Sequence, residues 1–203
     1  MGRGGARPVR LSRRAGSGSV VAIDVSDPAT PKKLGRCEVE CGEAITVAGQ
    51  YAYLPCDNLG MRIVDISDPH APKQVGAFRE SVGAMDVTVV GKLAYITGGE
   101  DGVALRIVDL SDPRQSKQIG RYGDSLTGGV AVQDNYAYLA SGNLDVLDVS
   151  NPAAPKLVGV FPDDECMTAW RVRVAGNYVY VMGEGKQGFS ILRAVWGDGE
   201  DQK

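Results

Sequence analysis

The sequence predicts an all-β fold of short antiparallel strands, and three observations carry that prediction. The phrase Met61-Arg62-Ile63-Val64-Asp65-Ile66-Ser67-Asp68-Pro69 returns as Leu105-Arg106-Ile107-Val108-Asp109-Leu110-Ser111-Asp112-Pro113 and as Val146-Leu147-Asp148-Val149-Ser150-Asn151-Pro152, with an early copy at Ala22-Ile23-Asp24-Val25-Ser26-Asp27-Pro28. Tyr53, Tyr95, Tyr138 and Tyr180 hold one register, 42, 43 and 42 residues apart. Gly is abundant, Val and Tyr recur, and long apolar stripes of helical period are missing. Four short alternating strands per period of about 42 residues match one propeller blade. The expected fold is therefore a β-propeller of about four four-stranded antiparallel blades.

Taken in order, residues 1–18 form a basic tail expected to be disordered, with Arg3, Arg7, Arg10, Arg13 and Arg14 and no acid. A nucleic-acid-binding arm is a weaker reading of the same stretch. The repeats occupy 19–195. Ser19–Ser26 reads as a strand, Asp27-Pro28-Ala29-Thr30-Pro31 as a turn, and the region of Lys33–Glu40 as a second strand. The first complete unit has strands around Ile45–Val47, Tyr51–Leu54, Met61–Ile66 and Gln74–Phe78. The second repeats that order at Asp86–Val89, Leu93–Thr97, Ala104–Leu110 and Gln118–Arg121. The third does so at Val130–Val132, Tyr136–Ala140, Leu144–Val149 and Leu157–Phe161. A fourth unit has Arg171–Val174, Tyr178–Met182 and Phe189–Val195, and residues 196–203 make an acidic tail expected to be disordered.

The shared residues have structural explanations. Gly49, Gly91, Asp134 and Gly176 fall where a two-residue hairpin requires positive φ. In Ser-Asp-Pro the acid accepts backbone hydrogen bonds and the proline presets the bend, while Asp24, Asp65, Asp109 and Asp148 tie down the same corner. The tyrosines are expected to pack between blades.

Leu105-Arg106-Ile107-Val108-Asp109 and Gly176-Asn177-Tyr178-Val179-Tyr180 are the best examples of a phrase that resembles the LVIVD repeat family. The resemblance runs over roughly residues 19–193 and implies a propeller of such blades, commonly in exported or cell-surface prokaryotic proteins. It implies no reaction and brings no catalytic residues. Phe189-Ser190-Ile191-Leu192-Arg193 departs from the phrase and lacks Ser-Asp-Pro, which marks a terminal or incomplete unit. Two closures follow. The N-terminal pair of strands completes the last unit in a four-blade ring, or the chain is an open arc of a longer propeller.

Function is expected on one face. The loops between blades, and those between second and third strands, vary in length, whereas the hairpins do not. These loops and their flanks are acidic, and Glu43, Asp57, Glu100, Asp101, Asp124, Asp163, Asp164 and Glu165 are the candidate binding residues. Such a face suits a protein or glycan partner; acids around an axial mouth could also hold Ca²⁺, though no spacing matches a calcium loop. Near the axis, Asp86 and Arg171 occupy equivalent positions and are expected to pair, with Arg173 and Trp170 beside them to recognise a carboxylate or a ring.

The net charge of −3, concentrated as acid in the repeats, argues against a nucleic-acid surface on the folded part. His70 is the single histidine and lies in a turn, which disfavours His-based metal sites and Ser-His-Asp chemistry. No catalytic residue, protein-bound metal or required cofactor is predicted, and no segment reaches the roughly 20 apolar residues of a membrane span. Cys41 and Cys166 both precede innermost strands and could pair at a seam. The resulting expectation is a non-catalytic scaffold. A Ca-dependent propeller hydrolase or lyase and a purely structural spacer are the alternatives.

Overall fold

The computed structural model describes residues 9–11, 18–39, 44–57, 59–80, 83–161, 169–183 and 189–193. The first sheet consists of β1 (Val9–Leu11), β2 (Ser19–Asp24) and β3 (Lys32–Glu38). The second has β4 (Thr46–Ala48), β5 (Tyr51–Pro55), β6 (Met61–Asp65) and β7 (Lys73–Phe78). The third has β8 (Asp86–Val90), β9 (Leu93–Thr97), β10 (Leu105–Asp109) and β11 (Lys117–Tyr122). The fourth has β12 (Val130–Gln133), β13 (Tyr136–Ser141), β14 (Asn143–Asp148) and β15 (Lys156–Phe161). The fifth has β16 (Ala169–Ala175), β17 (Tyr178–Gly183) and β18 (Phe189–Arg193).

Every sheet is an antiparallel meander in chain order, as blades require. The tyrosine register is literal: Tyr53 lies opposite Ile63, Tyr95 opposite Ile107, Tyr138 opposite Val146 and Tyr180 opposite Ile191. Third and fourth strands slip by a β-bulge beside each corner, at Ala22/Ile23, Ile63/Val64, Ile107/Val108 and Val146/Leu147.

The blade architecture holds, but the ends are arranged differently from the four-blade closure. Among the described residues, β2 and β3 do not join the last unit. Each end builds its own three-stranded sheet, giving five blade-like sheets. The basic start contributes β1, which pairs with β2 where a second strand belongs, so the expectation of a structureless 1–18 fails at Val9–Leu11. Three residues with a central arginine carry too little alternation to announce a strand; the open edge of β2 supplies the reason for it.

Period-two alternation explains how the sheets stack. In Tyr51-Ala52-Tyr53 the rings point to the following sheet and the alanine to the preceding one. Tyr53, Met61 and Ile63 thus pack on Val87, Ala94, Ile96 and Val108 of the third sheet. Tyr95, Leu105 and Ile107 meet Val130, Ala137, Leu139 and Leu147 of the fourth. Tyr138 and Leu144 meet Val172, Val179 and Val181 of the fifth, and Val20 and Val39 of the first meet Ala52, Leu54 and Val64 of the second. Large side chains nest against small ones, so consecutive sheets share one core pattern. Full burial of each such side chain contributes roughly 1.5–3 kcal/mol.

Side-chain and backbone ties hold the inner and outer rims. Along the inner strands, Thr46 Oγ1 donates to Val87 O at 2.6 Å and Thr88 Oγ1 to Val130 O at 2.9 Å. At the outer strands, Gly76 lies against the Pro113 carbonyl and Gly120 against the Pro152 carbonyl, so tightly that a Cβ at either glycine would overlap that oxygen. Gly35 meets the carbonyls of Pro69 and His70 in the same way. The Ser-Asp-Pro corner of one blade is therefore seated on a glycine in the outer strand of the blade before it. The hairpins carry the left-handed backbone the sequence asked for, with φ of 58°, 60°, 54° and 57° at Gly49, Gly91, Asp134 and Gly176.

Candidate functional site

Inter-loop backbone bonds define the loop face. Asp57, in the loop after β5, exchanges backbone hydrogen bonds with Ala84, just before β8, at 3.2 and 3.3 Å. Thr127 N donates to Gly98 O at 2.6 Å, and Ala169 N to Gly142 O at 3.0 Å. Loops after second strands are thereby tied to the connections between blades. The opposite end is equally consistent: Ile66, Leu110 and Val149 donate from the corners to the hairpin carbonyls of Gln50, Lys92 and Asn135. The second-to-third-strand loops span 56–60, 98–104 and 142, whereas the hairpins at 49–50, 91–92, 134–135 and 176–177 are uniform. Variation thus sits on one face of a fixed frame.

The candidate acids divide by local role. Glu100 and Asp124 are exposed on that face. Asp57 adopts φ of 43° within the loop-to-loop bridge, a structural position. Asp101 forms an ion pair with Arg106, whose side chain is only 6 % exposed, so this carboxylate neutralises a nearly buried guanidinium. Glu43, Asp163, Asp164 and Glu165 lie outside the described residues.

At the axis, Asp86 is 3 % exposed although it belongs to an inner strand. Its Oδ1 accepts from Val87 N at 3.0 Å and its Oδ2 from Val130 N at 3.4 Å. Arg171 and Arg173, two sheets further on, place Nη1 3.7 and 3.5 Å from Oδ2. The expected Asp86–Arg171 pair therefore forms, and Arg173 makes it a triad. One carboxylate faces two guanidiniums whose side chains are 41 % and 65 % exposed, so the cluster is locally cationic. A cation at Asp86 would meet that repulsion. Trp170 is partly buried, and its Nε1 has no acceptor among the described residues.

The LVIVD repeat matches this chain five times, over residues 15–39, 42–79, 83–124, 126–163 and 168–192, one match for each sheet. The chain belongs to the LVIVD repeat family. No curated protein matches this LVIVD chain. Among solved structures it is similar to a functionally unknown protein from Desulfotomaculum acetoxidans DSM 771, with a TM-score of 0.67 and 15 % identity over 91 % of this chain. That similarity shows the fold. The LVIVD chain spans 65 % of the length of that solved chain.

Several residues of the LVIVD phrase were legible as pattern but not as contact. Arg62 and Arg106, the variable position of the phrase, are buried and donate to the loop carbonyls of Leu59 at 2.8 Å and Val103 at 3.4 Å. An arginine recurring between apolar neighbours is the signal that could have revealed them. Among the cysteines, Cys37 is a free thiol and Cys56 is disulfide-bonded. Cys41 and Cys166 lie outside the described residues, and their proposed seam pairing gave no role to Cys56. No group of three His, Cys, Asp or Glu side chains that could hold a metal occurs among the described residues. Among the described residues, no helix is long and apolar enough to cross a membrane.

Proposed function

We propose that this LVIVD chain is a non-catalytic, rigid interaction scaffold that receives a protein or glycan on its acidic, length-variable loop face. The carrying observation is the contrast between the ends of the blades. Uniform hairpins and seated corners occupy one end, and loops of unequal length bound to one another by backbone occupy the other. Such loops combine variation with a fixed presentation, the usual basis of recognition on a rigid scaffold. Exposed Glu100 and Asp124 give the described part of the face its charge, which favours a cationic or hydrogen-bond-donating partner.

The charge-reversed double variant Glu100→Lys with Asp124→Lys tests this reading, with Lys92→Glu plus Arg114→Glu on the opposite face as control. Capture of basic proteins in pull-downs, or binding on a glycan array, is expected to fall at least tenfold for the first and stay unchanged for the second. Equal capture by both would contradict the face assignment. Asp101 is left untouched because reversing it would strand Arg106.

The axial triad favours a second reading, in which Arg171 and Arg173 together recognise a carboxylate on a partner. The Ca-dependent hydrolase or lyase alternative is less favoured at Asp86 by the same two arginines. Calorimetry with Ca²⁺ and EDTA separates it: heat and a raised melting temperature would support it, and neither is expected. A spacer without a partner remains the third alternative, and it predicts no capture by any variant.

A further inference from the structure

A cleft of about 410 Å³ opens between the hairpins of the second and third sheets, at the end opposite the loop face. Ala48, Gln50, Tyr51 and Tyr53 line one side, and Lys92 and Leu110 the other. Its size falls in the range of small-ligand sites. The repeats show why the gap exists at this seam. By hairpin register Ala48, Val90 and Gln133 are equivalent, as are Tyr51, Leu93 and Tyr136. Between the fourth and fifth sheets Gln133 reaches across, and its Nε2 donates to Gly176 O at 2.9 Å, bridging the two hairpins. Ala48 ends at Cβ and is too short to make the same bridge to Gly91. The places equivalent to Lys92 hold Asn135 and Asn177 in the next two hairpins. A small residue, a ring and a cation therefore meet between the second and third sheets. The next seam has Val90, Leu93 and Asn135 instead, and the one after it Gln133, Tyr136 and Asn177.

We propose that this cleft binds a small aromatic carboxylate, its ring against Tyr51 and Leu110 and its anionic group on Lys92 and the Tyr51 hydroxyl. The wall is aromatic and ordered: Tyr51 and Tyr53 meet edge to face, with centroids 6.4 Å apart and ring planes at 62°. Gln50 Nε2 donates to Tyr51 Oη at 3.0 Å, which leaves the phenol hydrogen to donate to a ligand. Lys92 is exposed and forms no salt bridge among the described residues. Asp109, the acid on which its charge acts, already holds its Oδ1 on Ser111 N at 2.8 Å. The ammonium and the phenol both donate, so the polar end they select is an acceptor and, beside a cation, an anion. Buried Leu110 and Tyr53 select an apolar body. A sugar, polar around its whole ring, would leave hydroxyls against them without partners. The cleft shares no residue with the loop face, so the two sites stand or fall separately.

Titration of the full chain with benzoate, followed by backbone amide chemical shifts, tests this. Saturable shifts at Gly49, Gln50, Gly91 and Lys92 are expected, with a Kd on the order of 1 mM for a ligand of this size. Benzamide, of the same shape without the charge, is expected to bind about tenfold more weakly or worse. Lys92→Asn and Tyr51→Leu each install a residue the chain itself uses at an equivalent hairpin, and each is expected to weaken benzoate about tenfold or more. Ala48→Gln keeps the ring and the cation but supplies the bridge that closes the fourth-to-fifth seam, and it is expected to abolish the shifts. Circular dichroism checks the fold of all three variants. No saturable shift at these hairpins by about 20 mM benzoate would overturn the proposal. So would shifts centred on Arg171 and Arg173, equal binding of benzamide, or unchanged benzoate affinity in either Lys92→Asn or Ala48→Gln.

Discussion

Arg106 shows how a repeated residue can be structural without looking so. It sits in the middle of an apolar phrase, and a guanidinium placed there must either reach water or take a counter-charge with it. It does the second, pairing with Asp101 and donating to Val103 O from an almost fully buried side chain. Removing Asp101 leaves that cation uncompensated. Asp101→Ala is expected to lower unfolding free energy by about 2–3 kcal/mol, less than a fully buried pair because Asp101 is 26 % exposed. Arg106→Met fills the same space without charge and frees an acid that can hydrate, so its cost in urea denaturation is expected to be smaller. Equal losses would show that the ion pair itself, and not the stranded charge, carries the cost. The arginine was readable in the phrase. Its partner was not, because a loop residue five positions away shows no periodicity.

At the scale of the element, the corner after each third strand is the most legible feature of the chain. Asp24, Asp65, Asp109 and Asp148 accept from Ser26, Ser67, Ser111 and Ser150 N at 2.8–2.9 Å, the role assigned from the sequence. Serine side-chain hydrogen bonds, followed by the serine backbone N–H, hold Asp65, Asp109 and Asp148 below the ordinary value of 3.8. Asp27 is lowered too, first by the Thr30 hydroxyl and then by Ala29 N. Lowered carboxylates stabilise the fold above their unfolded value, and that contribution disappears as pH falls through the folded values. The melting temperature is therefore expected to lose this contribution only below about pH 4. The triple substitution of Asp65, Asp109 and Asp148 by Asn should lower it at neutral pH and flatten the acid limb. An acid limb as steep as the wild type's would show that other carboxylates govern acid unfolding. These corners were legible because their bonds are local, two residues apart, and each copy repeats them.

The whole molecule depends on contacts between blades, where the sequence was least explicit. Tyrosine spacing gave the stacking and its register. The number of sheets differed, because β1 is short and β16–β18 form a sheet without help from the N-terminal strands. On the candidate site, Asp86 and Arg171 were matched by repeat position, while Arg173 entered through a reach across the axis that spacing does not encode. The outer-strand glycines at 35, 76, 120 and 159 recur as clearly as the tyrosines. Their reason was hidden because it is a carbonyl on the next blade. Gly35, Gly76 and Gly120 each seat a corner, whereas at Gly159 an added Cβ would meet, among the described residues, only Val146 Cβ, at 3.8 Å.

That difference isolates the proposition that successive blades are joined by one repeated contact, which ends at the fourth sheet among the described residues. The direct measurement is the thermal and urea unfolding of Gly120→Ala beside Gly159→Ala. Gly120→Ala is expected to cost about 2 kcal/mol or more, through overlap with the Pro152 carbonyl. Gly159→Ala is expected to be neutral, or to stabilise by up to about 1 kcal/mol through lost freedom of the unfolded chain. Equal destabilisation by the two, or a neutral Gly120→Ala, would contradict the blade-to-blade seam on which the account rests.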